Sequence, residues 1–152
     1  MNELPMLGIV LCCYREGVLE TVYKDSLGKT TAGIGHLLTE EEQERYKVGQ
    51  KISLEQVAEW YQKDFLHAYG AARAQAKEIG VEAMHFVAAL TSVNFQLGTN
   101  WYKIHKKTWQ HLLDHNWEDA AKEAQNSRWY KQTPVRVKDF QEAILRNFLH
   151  AP

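Results

Sequence analysis

The chain contains two cysteines, and they are adjacent, Cys12 and Cys13. Neighbouring thiols sit poorly for an ordinary disulfide, so the sequence favours a reduced, cytosolic birthplace with both side chains packed as small apolar groups. Long hydrophobic runs are also missing. Met6 to Cys13 is the longest near the start, at eight residues, with no basic stretch before it and no small-residue cleavage site after it. This segment reads as neither a signal peptide nor a membrane span. Charge of either sign is not in excess: the net charge is −1 and the pI about 6.7. That balance removes the general electrostatic reason to expect a nucleic-acid partner, although a local basic patch could still meet a polyanion. Internal repeats and low-complexity tracts are absent too. What is present, 152 residues of which 45% are apolar and 24% charged, suits one compact unit with a core and room for two lobes.

Leu4 to about Tyr14 reads as an apolar helix stopping near Gly17, which places Glu16 at or just beyond its last turn. Glycines 17, 28, 33 and 35, four of the nine, then mark tight turns or close approaches. Thr21-Val22-Tyr23-Lys24 and Lys29-Thr30-Thr31-Ala32 read as short strands joined by a turn at Asp25-Ser26-Leu27-Gly28. Thr39-Glu40-Glu41-Glu42 and Ser53-Leu54-Glu55-Gln56 match the capping-box pattern, so helices are expected from about 40 and about 54. Val57, Tyr61, Phe65 and Tyr69 give the second an apolar face that can carry it to Lys77. Val81 to Phe95 is apolar enough to be buried on most sides. Further helices fit Lys103 to His115 and Trp117 to Asn126, and a last one with Thr133 as N-cap and Pro134 in its first turn. The expected class is α+β and mainly helical: a small mixed β lobe at about 15–53, a connecting helix at about 54–77, and a helical lobe at about 78–152 that takes in the helix at 3–14. A cleft between such lobes suits a long substrate, with Glu16 at the junction.

Glu16, Asp25 and Thr31 carry the chemistry, with eight residues between the first two and five between the last two. A carboxyl at a helix end, a second carboxyl in a hairpin and a nearby hydroxyl are the groups needed to protonate a glycosidic oxygen and aim a water. The competing structural reading is that Glu16 caps or pairs, Asp25 serves the turn and Thr31 fills a strand.

In its motifs the chain resembles the T-even-type phage lysozymes, the muramidases of glycoside hydrolase family 24. The triple falls at that family's catalytic spacing and is followed by Gly33-Ile34-Gly35-His36-Leu37-Leu38-Thr39. Phe95-Gln96-Leu97-Gly98 and the block from Ser127 to Arg136 look like its helical-lobe signatures. The resemblance implies a lysozyme-like two-lobe fold and an endolysin that hydrolyses the β-1,4 bond between N-acetylmuramic acid and N-acetylglucosamine in peptidoglycan, with inversion, during host cell lysis. It assigns Glu16 as general acid, Asp25 as the carboxylate that orients or deprotonates water, and Thr31 as a second contact to that water. It also implies Arg136 as partner of Glu16, His36 and Asp64 as a structural ion pair, and Leu37, Phe95, Thr108 and Glu123 as substrate contacts. The last two stand where the family has a serine and an asparagine. No metal or organic cofactor is implied, nor a nucleic-acid partner or stable membrane insertion. The resemblance suggests a monomer made in the host cytoplasm that reaches the wall through lesions opened by a separate pore-forming protein.

The near-neutral pI departs from the basic character of better-known relatives, which weakens electrostatic steering toward an anionic wall. Of the tryptophans at 60, 101, 109, 117 and 129, most read as core and Trp101 as the least constrained. His111 and His115 lie one helical turn apart, but no third ligand accompanies them. Lys103, His105, Lys106 and Lys107 form a basic cluster, either a solvated helix face or a contact for acidic peptide stems of the wall. Two rival functions remain at this point. A lytic transglycosylase needs no Asp and Thr to activate water, and a non-catalytic wall-binding module needs no triple at all.

Overall fold

A computed structural model describes residues 19–149. Cys12, Cys13, the expected helix at 3–14 and Glu16 lie outside the described residues. The described part divides into two compact units, residues 19–67 and residues 68–149.

The first unit holds a three-stranded antiparallel sheet in the order β1 (Leu19–Lys24), β2 (Thr30–Gly33), β3 (His36–Leu37). Asp25 closes the β1–β2 hairpin. Its amide donates to the Lys29 carbonyl at 2.9 Å and its carbonyl accepts from Gly28 at 2.9 Å. This is a three-residue loop whose third position needs positive φ, and Gly28 supplies it at +78°. The third strand is only two residues long and lies among glycines, so it carries no alternation by which it could be expected. Helix α1 (Glu40–Arg45) follows with the anticipated capping box: Thr39 Oγ1 accepts from the Glu42 amide at 3.1 Å and Glu42 Oε1 accepts from the Thr39 amide at 2.9 Å. The chain then returns beside β1, bridging Thr21 with Lys51. Helix α2 (Leu54–Ile79) begins where Ser53 Oγ accepts from the Gln56 amide at 3.1 Å. Val22, Ala32, Ile34, Leu38, Ile52, Val57 and Trp60 are the buried apolar residues between sheet and helix start. Gly33 permits that packing, because a Cβ there would lie 3.2 Å from Val57 Cγ1.

The second unit is helical. Helix α3 (Met84–Leu97) is buried without interruption from Phe86 to Asn94, as its apolar composition predicts. It starts three residues later than expected because Ala83 is extended, with ψ of 144°. The helix expected from Lys103 to His115 is two: α4 (Trp101–Ile104) and α5 (Lys106–Leu113). His105 breaks it with φ −95° and ψ 58°, its ring packed 5.7 Å from Trp129, so tertiary packing overrides local propensity. Helices α6 (Trp117–Gln125), α7 (Arg128–Gln132) and α8 (Pro134–Leu149) complete the unit. Thr133 precedes α8 as expected, but its hydroxyl serves the end of α7, donating to the Trp129 carbonyl at 3.3 Å and accepting from Gln96 Nε2 at 3.0 Å. No described helix is long and apolar enough to cross a membrane.

Trp101 corrects the sequence expectation. Rather than the least constrained tryptophan, it is 0% exposed and donates through Nε1 to Gln75 Oε1 at 3.1 Å. Its indole lies edge-on to Trp109 and Phe140, at 5.7 and 5.8 Å. Gln75 in turn exchanges two hydrogen bonds with Asn94, 2.9 and 2.7 Å long, and Asn94 Nδ2 also donates to the Leu90 carbonyl at 2.8 Å. A buried amide pair satisfied in this way rigidifies an otherwise apolar core. Asn94→Ala leaves both Gln75 amide groups short of partners, so urea denaturation should show a loss of about 2–3 kcal/mol. A loss well below 1 kcal/mol would mean that water or repacking replaces the amide.

Candidate active site

The sheet register sorts the first unit's candidate residues by face. Tyr23 lies opposite Thr31 and Thr31 opposite Leu37, while Ala32 lies opposite His36. Directly opposed residues point to the same side and side chains alternate along a strand, so Asp25, two residues after Tyr23, shares a face with Thr31 and Leu37. The register thus places these three on one face of the hairpin. Asp25 Oδ1 accepts from the amides of Leu27 and Lys29 at 2.9 and 2.8 Å, which fixes the carboxylate on the turn it closes. Thr31, 4% exposed, donates its hydroxyl to the Lys29 carbonyl at 3.0 Å. With its proton so committed, the Thr31 oxygen presents lone pairs. Leu37 is 50% exposed, an apolar surface beside two polar groups. Glu16, the expected acid, lies outside the described residues.

His36 points to the opposite face, where it is clamped. Nδ1 lies 2.6 Å from Asp64 Oδ2, Nε2 lies 2.9 Å from Glu42 Oε1, and the ring stacks on Trp60 at 4.4 Å. Two carboxylates facing both nitrogens call for two donors, which only the imidazolium offers. Burial alone would push the His36 pKa down; hydrogen bonds and charge from Asp64 and Glu42 outweigh it and hold the value above the ordinary 6.5. Burial likewise works to raise Glu42, but the Thr39 amide and His36 prevail and keep it below the ordinary 4.5. Glu42 is the residue that sequence reasoning missed here. The capping box revealed its role on α1, but nothing in the spacing tied the same oxygen to His36.

The second unit holds the other candidates. Phe95 is half-buried near the end of α3. Arg136 on α8 is buried and donates through Nη2 to the Ser92 carbonyl at 2.8 Å and to Ser92 Oγ at 2.9 Å. Thr108 and Glu123 meet across one groove of about 550 Å³, formed where α5 begins and where α6 gives way to α7. Thr108 is 2% exposed and Glu123 half-buried. Lys106, Lys107 and Arg128 line the same groove. His105 also lines it, and burial pushes its imidazole below the ordinary value. His115 is committed elsewhere: its Nε2 donates to the Ile79 carbonyl at 2.6 Å. Among the described residues no group of three or more His, Cys, Asp or Glu could hold a metal ion.

The His36 clamp sets a pH dependence of stability. A raised histidine contributes fully below 6.5 and loses its contribution as pH rises through its folded value; a lowered glutamate contributes above 4.5 and loses it as pH falls through its own. Both contributions are therefore present between those two values. His36→Gln keeps donors but cannot titrate, so its deficit in urea denaturation should be largest in that window, about 1–2 kcal/mol after allowing for partial exposure of the carboxylates. The deficit should narrow as pH is raised well above 6.5. A deficit independent of pH would show that His36 contributes packing and not charge.

The phage lysozyme family model matches residues 14–142. The chain is similar to peptidoglycan hydrolase gp36 of Pseudomonas phage phiKMV, 30% identical over 126 residues that make up 83% of this chain and 14% of that protein. It thus spans about a seventh of that phage relative's length. It is also similar to probable T4-type lysozymes 1 and 2 of Dictyostelium discoideum, each 27% identical, over 143 and 159 residues. Those matches cover 81% and 89% of this chain and 84% and 94% of the two relatives. With a family match that runs through the sheet bearing Asp25 and Thr31 and the groove bearing Thr108 and Glu123, the chain belongs to the phage lysozyme family.

Proposed function

We propose that this chain is a peptidoglycan hydrolase, a muramidase that cleaves the β-1,4 bond between N-acetylmuramic acid and N-acetylglucosamine with inversion at the anomeric carbon. The observation that carries the reading is the shared sheet face of Asp25, Thr31 and Leu37. Glu16 gives its proton to the leaving glycosidic oxygen. Asp25, with Oδ1 held by two amides, uses its other oxygen to take a proton from water on the opposite side of the sugar. Thr31, whose hydroxyl proton is already donated, accepts a hydrogen bond from that same water. Room for a water between the two carboxyls requires a separation of about 6.5–9.5 Å, the inverting geometry. Arg136 is the proposed partner of Glu16, Phe95 and Leu37 line the glycan path, and Thr108 and Glu123 contact substrate beyond it. Cell lysis follows when the protein, acting as a monomer made in the host cytoplasm, passes through lesions opened by a separate pore-forming protein.

Turbidity loss of purified murein tests the assignment directly. Glu16→Gln and Asp25→Asn should each lower the rate by about 10²–10⁴-fold, the range that a positioned acid or base supplies. The released muropeptides should carry reducing ends with inverted configuration. Anhydro ends would replace hydrolysis with transglycosylation, and full activity in either variant would remove that residue from the mechanism.

A further inference from the structure

We propose that Lys29 is a specificity-determining residue of the Asp25 face, binding a carboxylate carried on the 3-O-lactyl arm of the reacting muramyl residue. The inference rests on the muramidase reading above and adds a cation to the groups which that reading employs. The β1–β2 register pairs Tyr23 with Thr31 and Lys24 with Thr30, and the bond from the Asp25 amide to the Lys29 carbonyl carries it one step further, setting Lys29 opposite Asp25. Opposed residues share a face with Cβ atoms about 4.5–5.5 Å apart, so the Lys29 side chain leaves the sheet beside the proposed base. Its backbone is fixed by the two residues it flanks. The Lys29 amide donates to Asp25 Oδ1 at 2.8 Å, and its carbonyl accepts from the Asp25 amide at 2.9 Å and from the Thr31 hydroxyl at 3.0 Å.

The Lys29 side chain is exposed, and its ammonium takes no part in the ion pairs of the first unit's described residues, which join His36 to Asp64 and Glu42. It is therefore available to whatever occupies the Asp25 face. On the muramidase reading that occupant is the sugar whose anomeric carbon the water attacks, an N-acetylmuramic acid. The ring hydroxyls and the N-acetyl group of this sugar are uncharged. Its 3-O-lactyl arm ends in a carboxylic acid, ionised when free and turned into an amide where a stem peptide is attached, and the stem then brings carboxylates of its own. In either form the negative charge nearest the reacting ring is borne on that arm, and an ammonium on a flexible four-carbon stem can follow it. N-acetylglucosamine has no such arm. The contact thus distinguishes the two sugars of the alternating polymer and favours the register that puts the muramyl residue against Asp25.

The test measures dissociation constants by NMR titration of the full chain carrying Glu16→Gln, chosen to suppress turnover. Three tetrasaccharides of alternating N-acetylglucosamine and N-acetylmuramic acid serve as ligands: with free lactyl carboxylates, with those carboxylates converted to primary amides, and with stem peptides attached. An exposed ion pair is modest, so the form that presents the carboxylate should bind about 2–5-fold more tightly than the amide. Lys29→Gln should remove that difference, Lys29→Arg should keep it, and Lys63→Gln, which takes the same charge from α2, should leave it unchanged. An advantage of the free acid assigns the carboxylate to the lactyl group itself, and an advantage confined to the stem-bearing ligand assigns it to the peptide. Because the comparison is between ligands on one protein, misfolding of a variant cannot mimic a selective loss. Equal binding of all three ligands, no binding of any, or a difference that survives Lys29→Gln would overturn the proposal. Murein hydrolysis by the unsubstituted chain, measured alongside, separates the two readings: Lys29-dependent discrimination without hydrolysis would sink the enzymatic assignment alone, and hydrolysis without discrimination would sink this one alone.

Discussion

The Asp25 carboxylate accepts the amides of Leu27 and Lys29, and every residue on that face of the small sheet is indexed from the turn it closes. Strand pairing has a period of two, so a slip of one residue between β1 and β2 would send Thr31 to the other face and bring Thr30 into its place. The turn prevents the slip by three means: the backbone bonds between Asp25 and both Lys29 and Gly28, the side-chain bonds, and a glycine at φ +78°. Using the Asp25 carboxylate as a structural acceptor restrains its rotation at the same time. A group held this way loses little further entropy in the water-aiming role proposed for it. The structural reading of Asp25 and its chemical reading are therefore the same interaction seen from two sides.

On the reverse face the His36 clamp does for α1 and α2 what the turn does for the strands. One imidazolium joins Asp64 on α2 to Glu42 on α1, and Glu42 Oε1 simultaneously holds the Thr39 amide. Removing the charge would leave two partly buried carboxylates without their shared cation, a larger loss than the absence of one hydrogen bond. The sheet is thus fixed in register from one side and tied to its helices from the other. The Asp25 face is thereby held by restraints on both sides of the sheet.

Legibility in the sequence followed the range of the interactions. Thr39 and Ser53 as helix starts, the hairpin and the buried run through α3 depend on contacts within a few residues, and the alphabet of caps, turns and periodicity reads such contacts directly. Trp101 was misjudged because its constraint comes from Gln75, twenty-six residues away, and from Phe140. His105 divided an apparently continuous helix for the same reason, through its contact with Trp129. In the candidate site, Asp25 and Thr31 are near neighbours across a hairpin and were visible as a pair. The second partner of His36 was hidden because Glu42 already had a sufficient local explanation, and a residue with one role gives no sequence signal of another.

The basic cluster near residue 105 shows the converse case, in which an ambiguous charge run acquires meaning from what it faces. As a string, Lys106 and Lys107 differ little from any solvated helix surface. Placed in one groove with Arg128 and Glu123, they become part of a concave pattern containing both signs. Such a pattern also bears on the near-neutral charge of the whole chain. Broad positive potential raises encounter rates with an anionic wall, but it does so without regard to which part of the wall is met, and it is screened beyond about 8 Å at physiological salt. Concentrating cations in a concavity gives up long-range attraction and gains contact-range discrimination.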